Sequence, residues 1–345
     1  MLSYPRTEFN PSGKLIFYPS PTEQRYETVL SIISNEKRVG KIKSVVDFGC
    51  SNLRFFEILK DVDRFEVVIC IDSDKNKLEI NGNKTNPFFR QCMEYKDKPF
   101  RAKVYHGSIA QVDPCIVDCD AMVCIELIEH LFPQELDNLP FTIFGYAKPQ
   151  VTVITTPNVE YNILFPENQK SRHEDHKFEW TRDQFKDWAN NIVLRYPEYT
   201  VEFHDIVPPP KGYEHVGPLT QLAAFYLKSN MSINNDETEN LKQNYELMFD
   251  FIYPLNCDTR STEELIFETI TDYINRYCRP NDEVYVMYED ESYDIIVPTT
   301  ELHNRLKSVA SDLKDFEEIL RSYGHIVNND HQLLQITPRI RYFAW

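Results

Sequence analysis

The strongest constraint on the fold is a series of short apolar runs, rich in β-branched residues, that alternate with helical or polar stretches. Seven such runs follow one another: residues 44–48, 66–71, 102–105, 121–125, 151–155, 200–205 and 222–227. Continuous apolar strands separated by helices are typical of a parallel sheet that is covered on both faces. The pattern therefore predicts an α/β fold built on a seven-stranded, doubly wound sheet.

A polar segment at residues 230–240 contains few apolar side chains and predicts a domain boundary. We expect a sheet domain over residues 1–230 and a separate extension over residues 231–345. Four segments of this extension have a recognisable pattern, the first three helical and the last strand-like: 241–252, 262–277, 302–323 and 283–288. The extension is thus predicted to be mainly helical.

The chain is acidic, with a formal net charge of −17, and the acidity is uneven. The extension alone has 22 acidic and 10 basic side chains, a net charge of −12. Phosphate binding depends on Lys and Arg, and no broad basic groove is indicated, so we expect any contact with RNA to be short and local.

The sequence predicts neither a membrane segment nor an export signal. No apolar run approaches the ~20 residues that a membrane helix needs. The first ten residues, MLSYPRTEFN, lack the basic and then apolar order of a secretory signal. We therefore expect a protein of the cytosol or nucleus, with the cytoplasm as our choice, and no membrane partner. We also expect a monomer.

Acidic and small residues follow the first three predicted strands, at the edge where doubly wound sheets bind ligands. Asp47 and Gly49 close the first strand, and glycine permits a tight turn and a close approach of the backbone to a cofactor. Asp72 ends the second strand, where a carboxylate can accept both ribose hydroxyls or, alternatively, cap a helix. Ser108 can border an adenine ring. An adenosine site without a phosphate-binding glycine loop favours S-adenosylmethionine over NAD.

Three ionisable residues follow the fourth strand at the spacing of one helical face. Glu126, Glu129 and His130 occupy positions i, i+3 and i+4, so a helix would bring them together. Two carboxylates and an imidazole suit a divalent cation such as Mg²⁺ or Mn²⁺. The same motif also fits metal-free enzymes that methylate small molecules, so both interpretations stay open. A later loop at the same edge carries His173 and His176, which can supply a fourth ligand.

Longer motifs give roughly residues 15–230 a resemblance to a known family. They are EQRY at 23–26, FGC at 48–50, RFF at 54–56, ELIEH at 126–130, TPN at 156–158 and RHEDHKFEWTR at 172–182. With these motifs the chain resembles the animal-type small-RNA 3′-terminal 2′-O-methyltransferases, the Hua-enhancer or Pimet family, which act on Piwi-bound RNAs (piRNAs). The resemblance implies a class I methyltransferase fold that uses S-adenosylmethionine. One departure is Cys50-Ser51-Asn52, which makes the cofactor loop less rich in glycine than is usual in the family.

The resemblance also implies the chemistry of the site. The implied metal ligands are four: Glu126, Glu129, His130 and His176. His176 takes this role rather than His173, and either His130 or His176 would assist deprotonation. The expected substrate is the 3′ end of a single-stranded small RNA, presented by a Piwi- or Argonaute-type protein. A cation that binds the 2′- and 3′-hydroxyls together would select the terminal nucleotide.

Two other functions stay open from the sequence alone. A small-molecule O-methyltransferase would use His130 as a base without metal, and its activity would resist EDTA. A binding module would have lost cofactor binding through the unusual loop, and its acidic extension would recruit a partner. Such a module would not bind S-adenosylhomocysteine.

Overall fold

The computed structural model describes most of the chain, in these segments: residues 5–87, 99–165, 173–228, 243–253, 261–277, 285–287, 293–306, 309–310 and 312–336. The chain divides into two compact units, Met1–Cys257 and Asp258–Trp345. Within the described segments no helix combines the length and the apolar character that crossing a bilayer requires.

The described part of the first unit holds ten strands and six α-helices. The strands are β1 (Arg6–Phe9), β2 (Leu15–Tyr18), β3 (Ser44–Phe48), β4 (Val67–Asp72), β5 (Phe100–His106), β6 (Ala121–Ile125), β7 (Val151–Pro157), β8 (Tyr199–Ile206), β9 (Thr220–Leu227) and β10 (Glu246–Tyr253). The helices are α1 (Pro21–Ile33), α2 (Glu36–Val39), α3 (Arg54–Leu59), α4 (Lys75–Asn81), α5 (Pro133–Pro140) and α6 (Arg182–Arg195). A π-helical segment, Phe141–Ala147, continues directly from α5.

Eight strands form one sheet in the order β10-β5-β4-β3-β6-β7-β9-β8. The five strands from β5 to β7 are parallel, and β8, β9 and β10 run antiparallel to their neighbours. All seven predicted strands are present, so the predicted α/β sheet is confirmed. From β3 the chain builds outward to β5 and then crosses to β6 on the other side of β3. The carboxyl ends of β3 and β6 therefore meet at a topological switch point, where such sheets bind ligands.

The central strands read as continuous apolar runs because both of their faces are buried. Val45 and Val46 are each fully buried, yet Val45 packs in one core cluster and Val46 in the other. Successive side chains of a strand point to opposite faces, so one strand contributes to both cores. Because both faces are buried, the central strands can be predicted from their continuous apolar runs in the sequence.

The eighth strand, β10, corrects two predictions. Residues 241–252 have helical spacing, with Tyr245, Met248 and Phe249 at i, i+3 and i+4, but the segment pairs with β5 as an edge strand. The Asp113 carboxylate accepts N–H bonds from residues 244 and 245, at 2.7 and 2.8 Å, and so fixes the start of the strand. The first unit therefore extends to Cys257 rather than ending at residue 230. The predicted boundary segment itself lies outside the described residues.

The first 25 residues contain a hairpin that their Pro-rich composition hides. β1 and β2 pair antiparallel, and the Thr7 hydroxyl donates to the Pro208 carbonyl at 2.6 Å. The helix α1 follows the hairpin and begins with a capping box formed by Ser20 and Glu23.

In the described part of the second unit, a small sheet accompanies the predicted helices. Its described elements are α7 (Thr262–Tyr277), β11 (Tyr285–Met287), β12 (Tyr293–Pro298), α8 (Thr299–Arg305), α9 (Leu313–Ser322), β13 (Ile326–Val327) and β14 (Gln332–Ile336). The strands form an antiparallel sheet in the order β11-β12-β14-β13. The helix predicted over residues 302–323 is divided between α8 and α9. A separate apolar core holds this unit together through Ile266, Phe316 and Leu333.

Candidate active site

A cleft opens at the switch point, beyond the carboxyl ends of β3, β4 and β5. Three of the four residues predicted to bind the cofactor line it: Gly49, Asp72 and Ser108. Gly49 has a φ of 74°, and a β-carbon at this position would lie 2.8 Å from Leu127. The loop therefore requires glycine here, even though residues 50–52 contain none.

Asp72 is held in place by backbone N–H groups. Its Oδ2 accepts from Ser51 and its Oδ1 from Asp74, both at 2.8 Å. The cap of α4 is Asp74, which accepts the N–H of Lys77 at 3.0 Å. The alternative that Asp72 caps the helix is therefore wrong. Because a carboxylate offers about four lone-pair positions, Asp72 can still accept ribose hydroxyls from the cleft.

Asp47, the fourth predicted cofactor residue, is 3% exposed. Among the described residues that line the cleft, Phe48 and Gly49 are present and Asp47 is not. Burial, followed by the nearby Asp72 carboxylate, raises the pKa of Asp47 to about 8. Asp47 therefore lies beneath the cofactor loop rather than on the cleft surface.

The turn after β6 joins the cleft to a polar cluster. The sequence predicts a helix over residues 126–130, but Glu126 has a left-handed backbone with a φ of 51°. A single 3₁₀ turn, Ile128–His130, follows it. Leu127 and Leu131 line the cleft, whereas the side chains of Glu129 and His130 belong to the polar cluster. One short turn thus contributes to both halves of the site.

The polar cluster consists of Glu129, His130 and His176. Each offers one ligand atom, and these atoms lie within 4.8 Å of one another. His130 and His176 have ring centroids 4.8 Å apart. Burial, and then the neighbouring imidazoles of His176 and His173, lower the pKa of His130. A neutral imidazole is the form that binds a metal.

Glu129 provides the clearest sign that the cluster suits a cation. Its side chain is fully buried, and its Oε2 accepts from the Thr156 hydroxyl at 3.1 Å. Its Oε1 is buried and has no hydrogen-bond partner among the described residues. Burial, and then the Glu126 carboxylate, raise the pKa of Glu129 well above its usual range. An unsatisfied buried oxygen costs ~1–3 kcal/mol, which a bound cation would offset. The residues present therefore fit a divalent metal.

His176 is oriented by a carboxylate that the sequence analysis leaves unassigned. Its Nδ1 lies 2.7 Å from Oε1 of Glu179, and the two side chains are 8% and 5% exposed. The Asn162 amide donates to the other oxygen of Glu179. A carboxylate on Nδ1 fixes the tautomer that leaves Nε2 free for a metal. The signal in the sequence is the spacing of three residues between His176 and Glu179 within the long motif.

Glu126, a predicted ligand, lies outside the cluster. Its Oε1 accepts from the Thr155 hydroxyl at 3.0 Å, and its Oε2 is 3.5 Å from Nη1 of Arg25. His173 also lies outside: its side chain is 63% exposed and pairs with Asp175. The structure therefore brings together three of the four predicted ligands. Of the two loop histidines, His176 belongs to this cluster and His173 does not. Arg172 of the same motif is outside the described residues.

Known proteins resemble the chain along most of its length, although no family model matches it. The small RNA 2′-O-methyltransferase of Drosophila melanogaster is 31% identical over 336 residues, which cover 93% of this chain and 85% of that protein. The protein of the same name from Gallus gallus is 34% identical and covers 75% of this chain and 68% of its own length. The Mus musculus protein is 36% identical over 63% of this chain. The chain spans 54% of that mouse protein, about half its length.

Two solved structures share the fold of the first unit. The crystal structure of the small RNA methyltransferase HEN1 has a TM-score of 0.55 at 27% identity, and the match covers 68% of this chain and 28% of that one. The methyltransferase domain of a bacterial Hen1 has a TM-score of 0.50 at 27% identity and covers 61% of this chain and 100% of that domain. The sheet is therefore that of a class I S-adenosylmethionine-dependent methyltransferase.

Proposed function

Because the chain belongs to the small RNA 2′-O-methyltransferase family, we propose that it methylates the 2′-hydroxyl of the 3′-terminal nucleotide of single-stranded small RNAs, with S-adenosylmethionine as the donor. The observation that carries this proposal is the turn at residues 127–131. Its leucines line the cofactor cleft while Glu129 and His130 form the polar cluster. A donor in the cleft and a hydroxyl at the cluster would thus be neighbours.

The proposed reaction is a direct displacement. The 2′-oxygen forms a bond to the methyl carbon, the carbon–sulfur bond breaks, and sulfur keeps the electron pair as S-adenosylhomocysteine forms. A ribose hydroxyl has a pKa far above neutrality, so a general base must take its proton. His130 and His176 lie in the cluster, and we assign this role to one of them. One imidazole nitrogen cannot bind a metal and accept a proton at the same time, so the histidine that acts as the base would do so only while its nitrogen holds no cation. The bond from Glu179 favours His176 in this role, because it would stabilise a positive imidazolium.

We also propose that Glu129, His130 and His176 hold Mg²⁺ or Mn²⁺, together with Glu126. The unpartnered Oε1 of Glu129 and the two imidazoles support this assignment. When bound, the cation would lower the pKa of a hydroxyl that it contacts. Only a 3′-terminal ribose has free 2′- and 3′-hydroxyls, so a site that needs both would reject internal nucleotides.

The family resemblance supports three further proposals: a Piwi- or Argonaute-type protein presents the RNA, the enzyme acts as a monomer, and it acts in the cytoplasm. A complex of such a protein with its loaded RNA can be compared with free RNA as substrate. Faster methylation of the loaded RNA is the expected result. Equal rates would argue against presentation by a partner.

The central experiment is a methylation assay on a single-stranded RNA of about 25 nucleotides. Chelator-treated enzyme is supplied with labelled S-adenosylmethionine, with or without Mg²⁺ or Mn²⁺, and the methylated sugar is mapped. We expect metal-dependent labelling of the last ribose only. A matched RNA that ends in a 3′-deoxy nucleotide should be a poor substrate. Equal rates for the two RNAs, or labelling without metal, would overturn the corresponding part of the proposal.

A further inference from the structure

An exposed aromatic side chain lies at the rim between the cofactor cleft and the polar cluster. Phe132 follows Leu131, which lines the cleft, and is 59% exposed. A single exposed apolar residue is common on protein surfaces, so exposure alone assigns no role. The position of Phe132 is what distinguishes it, because the methylated ribose must reach this boundary.

The backbone of Phe132 is fixed by its neighbours. Its N–H donates to Oε2 of Glu135 at 3.0 Å, and Glu135 itself lines the cleft. Pro133 follows and begins α5. The backbone that carries the ring is therefore already ordered. Less conformational entropy is lost when a ligand packs against the ring.

Lys177 places a positive charge beside the same ring. Its Nζ lies 4.9 Å from the centroid of Phe132. Its N–H donates to the Glu129 carbonyl at 2.8 Å, and it directly follows His176. An aromatic ring and an ammonium group are thus held together next to the proposed catalytic cluster.

We propose that Phe132 and Lys177 form a platform for the last nucleotide of the RNA. The base stacks on the Phe132 ring, and the Lys177 ammonium binds the phosphate on the 5′ side of that nucleotide. Stacking on an aromatic ring tolerates every base, which suits an enzyme that accepts RNAs of many sequences. A single local cation also agrees with a chain whose net charge is −17. This inference rests on the proposed function, because it identifies the ligand as RNA.

The test uses the full chain and a 25-nucleotide RNA with 2-aminopurine as its last base. Fluorescence of this base falls on stacking, and anisotropy of a 5′ label reports affinity, both in the presence of S-adenosylhomocysteine and Mg²⁺. Phe132→Ala should abolish the quenching and weaken binding roughly 5- to 150-fold, the equivalent of ~1–3 kcal/mol. Phe132→Trp should retain both. Lys177→Met should weaken binding and lower the salt dependence by about one phosphate contact.

Two matched variants control for the loss of an aromatic ring and of a lysine. Phe141 is 54% exposed on the π-helical segment. Lys186, on α6, lies 6.0 Å from the ring of Phe203 on β8. Phe141→Ala and Lys186→Met should leave quenching and affinity unchanged. Calorimetry with S-adenosylhomocysteine should give the wild-type value for every variant, which shows that each is folded.

The outcomes separate the platform from the proposed function. If the wild type methylates RNA and Phe132→Ala binds and quenches equally well, the platform is refuted while the function stands. If the wild type neither binds nor methylates the RNA, both fail. Equal losses in Phe132→Ala and Phe141→Ala would also refute the platform, because a general surface effect would then explain them.

Discussion

Replacement of Glu179 tests whether His176 is held ready to bind a metal. The carboxylate is 5% exposed and lies 2.7 Å from Nδ1 of His176. A charge-assisted bond of this length in a buried place is among the strong hydrogen bonds of proteins. It determines which ring nitrogen carries the proton and which direction the ring faces. Without it, His176 would lose both its preferred tautomer and its orientation.

The expected magnitude follows from the role of the carboxylate. Loss of an outer partner of a metal-binding histidine typically lowers metal affinity 10- to 100-fold, or ~1.4–2.7 kcal/mol. Glu179→Ala should show a loss in this range. Glu179→Gln keeps an oxygen that can accept from Nδ1 but lacks the charge, so its loss should be smaller. The alanine variant should also lose ~1–3 kcal/mol of unfolding free energy, because the Asn162 amide and the imidazole lose a buried partner.

The assay is a titration of chelator-treated protein with Mn²⁺, followed by calorimetry or by the electron paramagnetic resonance of free Mn²⁺. Asp175→Asn is the matched control. Asp175 also carries a negative charge beside these imidazoles, but its side chain is 73% exposed. An exposed charge contributes only ~0–1 kcal/mol, so this variant should bind Mn²⁺ within roughly 5-fold of the wild type.

Two results would refute the reasoning. Wild-type Mn²⁺ affinity in Glu179→Ala would mean that the bond to His176 does not prepare the ring for a metal. An equal loss in Asp175→Asn and Glu179→Gln would mean that total negative charge, rather than orientation of the ring, controls binding.

Three further predictions address other parts of the first unit. Arg25→Met should free the Glu126 carboxylate and raise the Mn²⁺ affinity roughly 5-fold, or ~1 kcal/mol, in the same titration. A lower Mn²⁺ affinity in this variant would show that Arg25 and the metal do not compete for Glu126. Asp72→Ala should weaken binding of S-adenosylhomocysteine roughly 10- to 150-fold, as expected for lost hydrogen bonds to a charged group, and leave Mn²⁺ affinity unchanged by calorimetry. Tyr253→Ala should lower the unfolding free energy by ~3–5 kcal/mol in denaturant titrations, because this side chain of β10 is 1% exposed, whereas Ile252→Ala, at 63% exposed, should change it little.

The sheet was predictable because its central strands are buried on both faces. Such strands need apolar side chains at every position, and a continuous run of Val, Ile and Cys is visible without any alignment. Val68 and Ile69 are neighbours in β4, yet they pack in opposite cores. A helix at a protein surface has polar side chains on one face, and these continuous apolar runs do not. The runs therefore indicate buried strands.

The edge strand β10 is not buried on both faces, so its sequence is not a continuous apolar run. Only part of its surface is buried, and Tyr245, Met248, Phe249 and Ile252 satisfy a helical spacing. The strand conformation is favoured by contacts with residues far away in the sequence. The Tyr253 hydroxyl donates to the Thr85 carbonyl at 3.1 Å, and Gly82 leaves room for the Phe249 ring. Tertiary contacts therefore override a local pattern that fits both structures.

The turn after β6 brings two of the singled-out residues to the polar cluster, although its local structure is not the predicted helix. Glu126, Glu129 and His130 have the spacing of a helical face, but a left-handed residue and a 3₁₀ turn replace the helix. Glu129 and His130 still meet His176, because the Lys177 N–H bonds the carbonyl of Glu129 at 2.8 Å. That bond joins two motifs far apart in the chain, and no local spacing predicts it.

The two glutamates of the motif are the same type of residue, but they differ in burial and in hydrogen-bond partners. Glu129 is fully buried, and Thr156 holds one of its oxygens while the other has no partner among the described residues. Glu126 keeps 19% of its side chain exposed and shares its carboxylate with Arg25 and Thr155. Burial of Glu129 makes rearrangement costly, whereas the contact between Glu126 and Arg25 is a long, partly solvated pair that can exchange partners at little cost. For the cation that we propose, Glu129 would therefore already be in position, whereas Glu126 would first have to leave Arg25.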